Sequence, residues 1–106
     1  MSLLKASARP KMRPSHPGAI LREDVLPALK VSVSEAAREL GISRQTLHQI
    51  MAEKAPITPS TALRLGKFCG NGPDLWLRMQ VAFDLWQAEQ EIGGEIAAIS
   101  TRKVAA

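Results

Sequence analysis

A single cysteine, Cys69, occurs in the 106 residues. One thiol excludes an intramolecular disulfide and cannot build a cysteine-cluster zinc site. No apolar run approaches the ~20 residues that a membrane-spanning helix needs, and the N-terminus lacks the apolar segment of a signal peptide. A reducing cytoplasm, with no membrane association, is the expected setting. Groups for catalysis are equally scarce. His16, His48 and Cys69 are the soft or nucleophilic candidates, and no acid–base pair, carboxylate–histidine cluster or phosphate-binding glycine loop accompanies them. No catalytic residue, metal site or cofactor is expected. Acidic residues are missing from positions 1–15, which carry Lys5, Arg9, Lys11 and Arg13 together with Pro10 and Pro14.

What is present suits one modest domain with tails. Hydrophobic residues make up 45% and charged residues 23%, the balance of a soluble globular chain. The net charge of +4 and the pI near 9.7 favour a polyanionic partner. Residues 1–15 read as a flexible basic arm, either adding phosphate or minor-groove contacts or serving only as a solvated tail. The domain should span 16–92, with a flexible C-terminal tail over 93–106.

Residues 33–52, led in by Val31 and Ser32, organise the rest: VSVSEAARELGISRQTLHQIMA. Ser34 can cap a helix by accepting from its free N–H groups, and Glu35 suits the positive helix start. Ala36, Ala37 and Leu40 recur at helical spacing. Gly41 then supplies the left-handed residue that a sharp turn needs. Ile42 returns to the core, and Ser43 caps a second helix that buries Leu47 and Ile50. The small Ala37 lets that helix approach closely. Its outward residues are Arg44, Gln45, Thr46, His48 and Gln49.

This is the pattern of a helix-turn-helix, whose second helix enters the major groove of DNA. An ordinary helical hairpin would instead carry Glu/Lys pairs on its solvated face. Arg44, Gln45 and Gln49 have base-edge chemistry, since arginine pairs bidentately with guanine and glutamine with adenine. Ser43, Thr46 and Lys54 are placed to hold phosphates and set the register.

The flanking elements should be helical too. HPG at 16–18 opens a first helix with Pro17 at its start, Ile20, Leu21 and Val25 inward, and Pro27 limiting its length. His16 reads as a helix-start residue. Thr58 caps and Pro59 opens a helix running from Ser60 to Phe68 or Cys69, with Ala62, Leu63, Leu65 and Phe68 apolar. Cys69 reads as a small buried hydrophobe. Pro73 opens a long last helix that should end before Gly93-Gly94. Its apolar surface exceeds what one small core can cover, so Leu75, Trp76, Met79, Phe83 and Trp86 are the candidate dimer interface.

Three blocks, HPGAILREDVLPAL, SEAARELGISRQTLHQI and ITPSTALRLGKFCGNGPDLWLRMQVAFDLW, resemble the HigA family of addiction-module antitoxins. The resemblance covers residues 13–88. It implies an all-α, compact five-helix bundle of the phage-repressor type and a homodimer. It also implies neutralisation of a co-encoded, RelE-like mRNA-cleaving toxin and repression of the protein's own operon at a palindromic, double-stranded operator. The chain departs from the family at two places. Ala52-Glu53 stands where the family often has Asn-Gly after the reading helix, and Lys30 stands where many relatives have Gly. A stand-alone helix-turn-helix regulator without a toxin is the alternative reading, and an interaction-only adaptor would leave Arg44, Gln45 and Gln49 without a task.

Overall fold

The computed structural model describes residues 12–104. Most of the basic arm, including Lys5, Arg9 and Lys11, therefore lies outside the described residues. The described chain is all-helical, with no strands among the described residues. No described helix is long and apolar enough to cross a membrane.

The first helix, α1, spans residues 17–29, continuing two residues past Pro27, the residue expected to limit its length. It begins as an α-helix over Pro17–Ile20, widens to a π-helix over Leu21–Val25 and closes as an α-helix over Leu26–Leu29. The proline explains the middle segment. Pro27 has no N–H to give, and its ring would crowd the carbonyl four residues back in a regular α-helix. Pairing the Leu26 N–H with the Leu21 carbonyl, five residues back, adds a wide turn that relieves the crowding. Lys30 then ends α1 in the left-handed region at φ 57°.

Helix α2 spans Val33–Leu40 and α3 spans Arg44–Met51. Ser32 caps α2, not Ser34. The Glu35 N–H donates to Ser32 Oγ at 3.1 Å, and the Ser32 N–H donates to Glu35 Oε1 at 3.3 Å. Glu35 can reciprocate only with a residue three positions earlier, and that spacing selects Ser32. Gly41, at φ 73°, makes the turn to α3. Ala36, Ala37 and Leu40 of α2 face Leu47 and Ile50 of α3, all five buried in one cluster. Each fully buried leucine or isoleucine there contributes roughly 1.5–3 kcal/mol.

Helix α4 spans Pro59–Cys69, capped by Thr58, whose hydroxyl accepts from the Thr61 N–H. It buries Ala62 and Leu65, but Leu63 is exposed and Cys69 is only half-buried. Helix α5 spans Asp74–Ala97. It does not stop at Gly93-Gly94: the backbone kinks at Ile92 (φ −124°, ψ 15°) and helix resumes. Two glycines weaken a helix by about 1 kcal/mol each without forbidding it, so the expected tail over 93–106 begins as helix.

The face of α5 turned to the bundle corrects the sequence reading. Trp76 is 1% exposed and Phe83 is 7% exposed, so both belong to the interior of the single chain. Met79 is half-buried against the same core. Of the candidate interface residues, Leu75 is exposed and Trp86 is half-buried, its indole nitrogen covered and without a hydrogen-bond partner among the described residues. Gln80 lies between the two buried aromatics, where it accepts from the Ile57 N–H at 2.8 Å and donates to Asp84 at 2.9 Å. That pair of bonds satisfies the buried amide and ties the loop after α3 to α5.

Candidate nucleic-acid interface

Helix α3 is held from three sides, which leaves one face free. At its start, Ser43 Oγ accepts from the Thr46 N–H at 3.0 Å and bonds Thr46 Oγ1 at 2.7 Å. The two hydroxyls expected at phosphates are thus coupled to each other at the positive end of the helix, where an anion is favoured. Leu47 and Ile50 anchor the inner face. Arg44, Gln45, Thr46, His48 and Gln49 are all exposed, as is Lys54 in the following loop. Arg44, Gln45 and Gln49 make no side-chain hydrogen bond or ion pair with any described residue. The sequence-derived base readers are therefore together on one helix and uncommitted.

The turn before α3 is clamped by α4. Arg64 Nη1 donates to the Leu40 carbonyl at 2.8 Å and to the Gly41 carbonyl at 3.4 Å. A Cβ on Gly41 would lie 2.6 Å from that nitrogen. The guanidinium meets carbonyls at the C-terminal, negative end of α2, where a cation is favoured. Arg64 carries no local mark of this role in the sequence, because nothing links it to a turn 23 residues earlier.

The end of α3 is held by α1. Gly18 packs so closely that a Cβ there would fall 1.8 Å from the Ile50 carbonyl oxygen. Arg22 Nη1 donates to the Met51 carbonyl at 2.5 Å. Glu53 follows in the left-handed region at φ 63°, with its carboxylate 2.8 Å from Arg13 and 3.6 Å from Arg22. Arg13 also lies over the Phe83 ring, 4.8 Å from its centroid. This arginine, assigned to the flexible arm from sequence, is docked on the domain. Lys30 and Glu53 are the two described non-glycine residues with positive φ.

The hydrogen bond from Arg13 holds the Glu53 carboxyl below its ordinary value, with the Arg13, His16 and Arg22 charges acting the same way and burial opposing. His16, the cap of α1, accepts from the Gly18 N–H through Nδ1 at 2.9 Å and meets the Phe83 ring edge-on, 4.9 Å between centroids. Burial lowers its pKa from the ordinary 6.5, partly offset by Glu53 and Asp84, while Arg13 adds to the lowering. The unfolded chain therefore takes up a proton at His16 more readily than the folded one. The resulting stability is present above pH 6.5 and lost as pH falls from there through the lowered folded value. Thermal melts over a pH series should show this decline, and His16→Asn, a cap that does not titrate, should flatten it. An identical decline in the variant would assign it to another group.

No cluster of three or more His, Cys, Asp or Glu side chains able to hold a metal occurs among the described residues. Burial raises the Cys69 pKa, which disfavours the reactive thiolate.

The sequence pattern of the helix-turn-helix family matches residues 21–76. Virulence-associated protein I of Dichelobacter nodosus is 42% identical over 76 residues, 72% of this chain and 70% of that protein. Among solved structures, antitoxin GraA in complex with its operator is 39% identical with a TM-score of 0.81, covering 93% of this chain and 100% of that one. The Pseudomonas aeruginosa antitoxin HigA with the higBA promoter is 32% identical, also at a TM-score of 0.81, covering 86% and 100%.

Proposed function

The chain belongs to the helix-turn-helix family, with HigA-type antitoxins as structural neighbours, and from that premise we propose that it is an antitoxin that represses its own operon and neutralises a co-encoded, RelE-like mRNA-cleaving toxin. DNA is its first partner. The observation that carries this reading is the uncommitted face of α3, in a fold that matches GraA with its operator and HigA with its promoter.

In the major groove, Arg44 bonds guanine O6 and N7, and Gln45 and Gln49 bond adenine N6 and N7. Ser43, Thr46 and Lys54 bond phosphates and fix the register. Two copies bind a palindrome whose half-sites lie one turn, about 34–36 Å, apart. With Trp76 and Phe83 inside the protomer, the two-fold contact falls on the outer stripe of α5, where Val81 is 54%, Leu85 36%, Ile92 40% and Ile96 51% exposed. Val81 and Leu85 stand four residues apart on one side of the regular part of the helix, and Ile92 and Ile96 lie at and beyond its kink. The toxin docks on α1 and its surroundings, where Glu23 and Asp24 are exposed, leaving α3 free.

Arg44→Ala or Gln49→Ala should weaken operator binding by about 1–3 kcal/mol and spare random DNA. Titration on the DNA upstream of the gene and on a random duplex measures both. Equal weakening on the two would make these residues phosphate contacts. The same Arg44→Ala protein, co-expressed with the neighbouring gene's product, should still rescue growth. Loss of rescue by a folded variant would place toxin and DNA on one surface.

A further inference from the structure

Glu53 is oddly placed for a protein that grips a polyanion. It follows α3 after the capping residue Ala52, beside the exposed Lys54, in a left-handed conformation that costs a glutamate energy and that glycine adopts freely. Its carboxylate points back to Arg13 and Arg22, 2.8 and 3.6 Å away. Both guanidiniums are preset by a second contact, Arg22 on the Met51 carbonyl and Arg13 over Phe83. Both remain open to solvent, with the Arg13 and Arg22 side chains 51% and 42% exposed. Exposed ion pairs of this kind are weak and exchange partners readily. A phosphate reaching the end of α3 therefore meets two cations already engaged by an internal anion.

We propose that Glu53 is an internal competitor for the DNA backbone: it occupies Arg13 and Arg22 and thereby limits sequence-independent binding. This rests on α3 being the DNA-facing helix. Phosphate contacts carry no sequence information, so the competition lowers operator and random affinity together. The protein then spends less time on DNA that lacks the operator, while base reading by α3 is untouched. An uncharged residue at 53 would leave both guanidiniums available to phosphate.

The test is the slope of log affinity against log salt, on operator and on a random duplex. Glu53→Gln should steepen it by as much as roughly 0.9 for each guanidinium freed, and raise affinity near 0.1 M salt by about twofold to fivefold for each, which is the most that an exposed ion pair withholds. Glu53→Gly, which also relieves the left-handed backbone, should do the same and covers the case in which the glutamine variant folds poorly. Adding Arg13→Gln to Glu53→Gln should remove one step of the gain. Glu91→Gln, an equal charge change more than two helical turns beyond Phe83 on α5, should leave the slope unaltered. Unchanged slopes in both folded Glu53 variants would overturn the proposal. So would an equal gain from Glu91→Gln, which would make the effect one of net charge. Failure of the underlying reading looks different: Arg44→Ala would then bind operator as tightly as the parent protein.

Discussion

Replacing Trp76 with alanine should cost about 3–5 kcal/mol of folding stability, the range for truncating a large buried aromatic. Trp76 is 1% exposed within the single chain, and its indole N–H donates to Asn71 Oδ1 at 3.2 Å. It packs with Leu21, Leu26 and Leu65 in the main core cluster, so truncation leaves a cavity that rigid helices on several sides cannot collapse to fill. A domain of this size has only about 5–15 kcal/mol to lose, and the variant should unfold at a much lower denaturant concentration. Leu85→Glu makes the contrasting case. Leu85 is 36% exposed, so a charge there should weaken self-association while leaving the monomer's stability within about 0.5 kcal/mol. Urea melts and sedimentation of both variants separate the roles. A Trp76→Ala protein of normal stability that had lost only its dimer would return this residue to the interface.

Gly18→Ala should be nearly as damaging, at about 3 kcal/mol, the upper part of the range for forcing atoms into a filled space. The added carbon would lie 1.8 Å from the Ile50 carbonyl oxygen. That oxygen cannot swing aside freely, because it accepts from the Glu53 N–H at 3.0 Å. The strain must separate α1 from α3 or break the end of the reading helix. Molecules that remain folded should bind operator less well, because the C-terminal end of the reading helix around Ile50 is displaced from its seat on α1. Urea denaturation and operator titration read the two effects. Stability within about 0.5 kcal/mol of the parent protein would mean that α1 does not touch α3 at this point.

The sequence by itself determined what depends on near neighbours. Gly41 fixed the turn, Ser43 and Thr58 fixed two helix starts, and the spacing of Ala36, Ala37, Leu40, Leu47 and Ile50 fixed the inner faces of α2 and α3. The same periodicity placed Arg44, Gln45 and Gln49 outward, because residues absent from the inner face of a short helix have nowhere else to go. Where two local signals competed, the pattern was ambiguous. Ser32 and Ser34 are both good caps, and the side-chain reach of Glu35 decided between them. Pro27 signals a helix end, but a π turn lets the helix pass while Leu26 has the core to pack into.

Only the tertiary structure decided which side of α5 is the inside. That helix is apolar around most of its circumference, so its sequence has no single stripe to read, and contact with α1 and α4 buried Trp76 and Phe83 while leaving Val81 and Leu85 outside. The tertiary structure also supplied the long-range partners: Arg64 on the Gly41 turn, Gln80 on Ile57, and Arg13 and Arg22 on Glu53. A long polar side chain carries no mark of its partner when 23 or 40 residues separate the two. Its bond exists only because the hydrophobic faces pack first and bring the groups within reach.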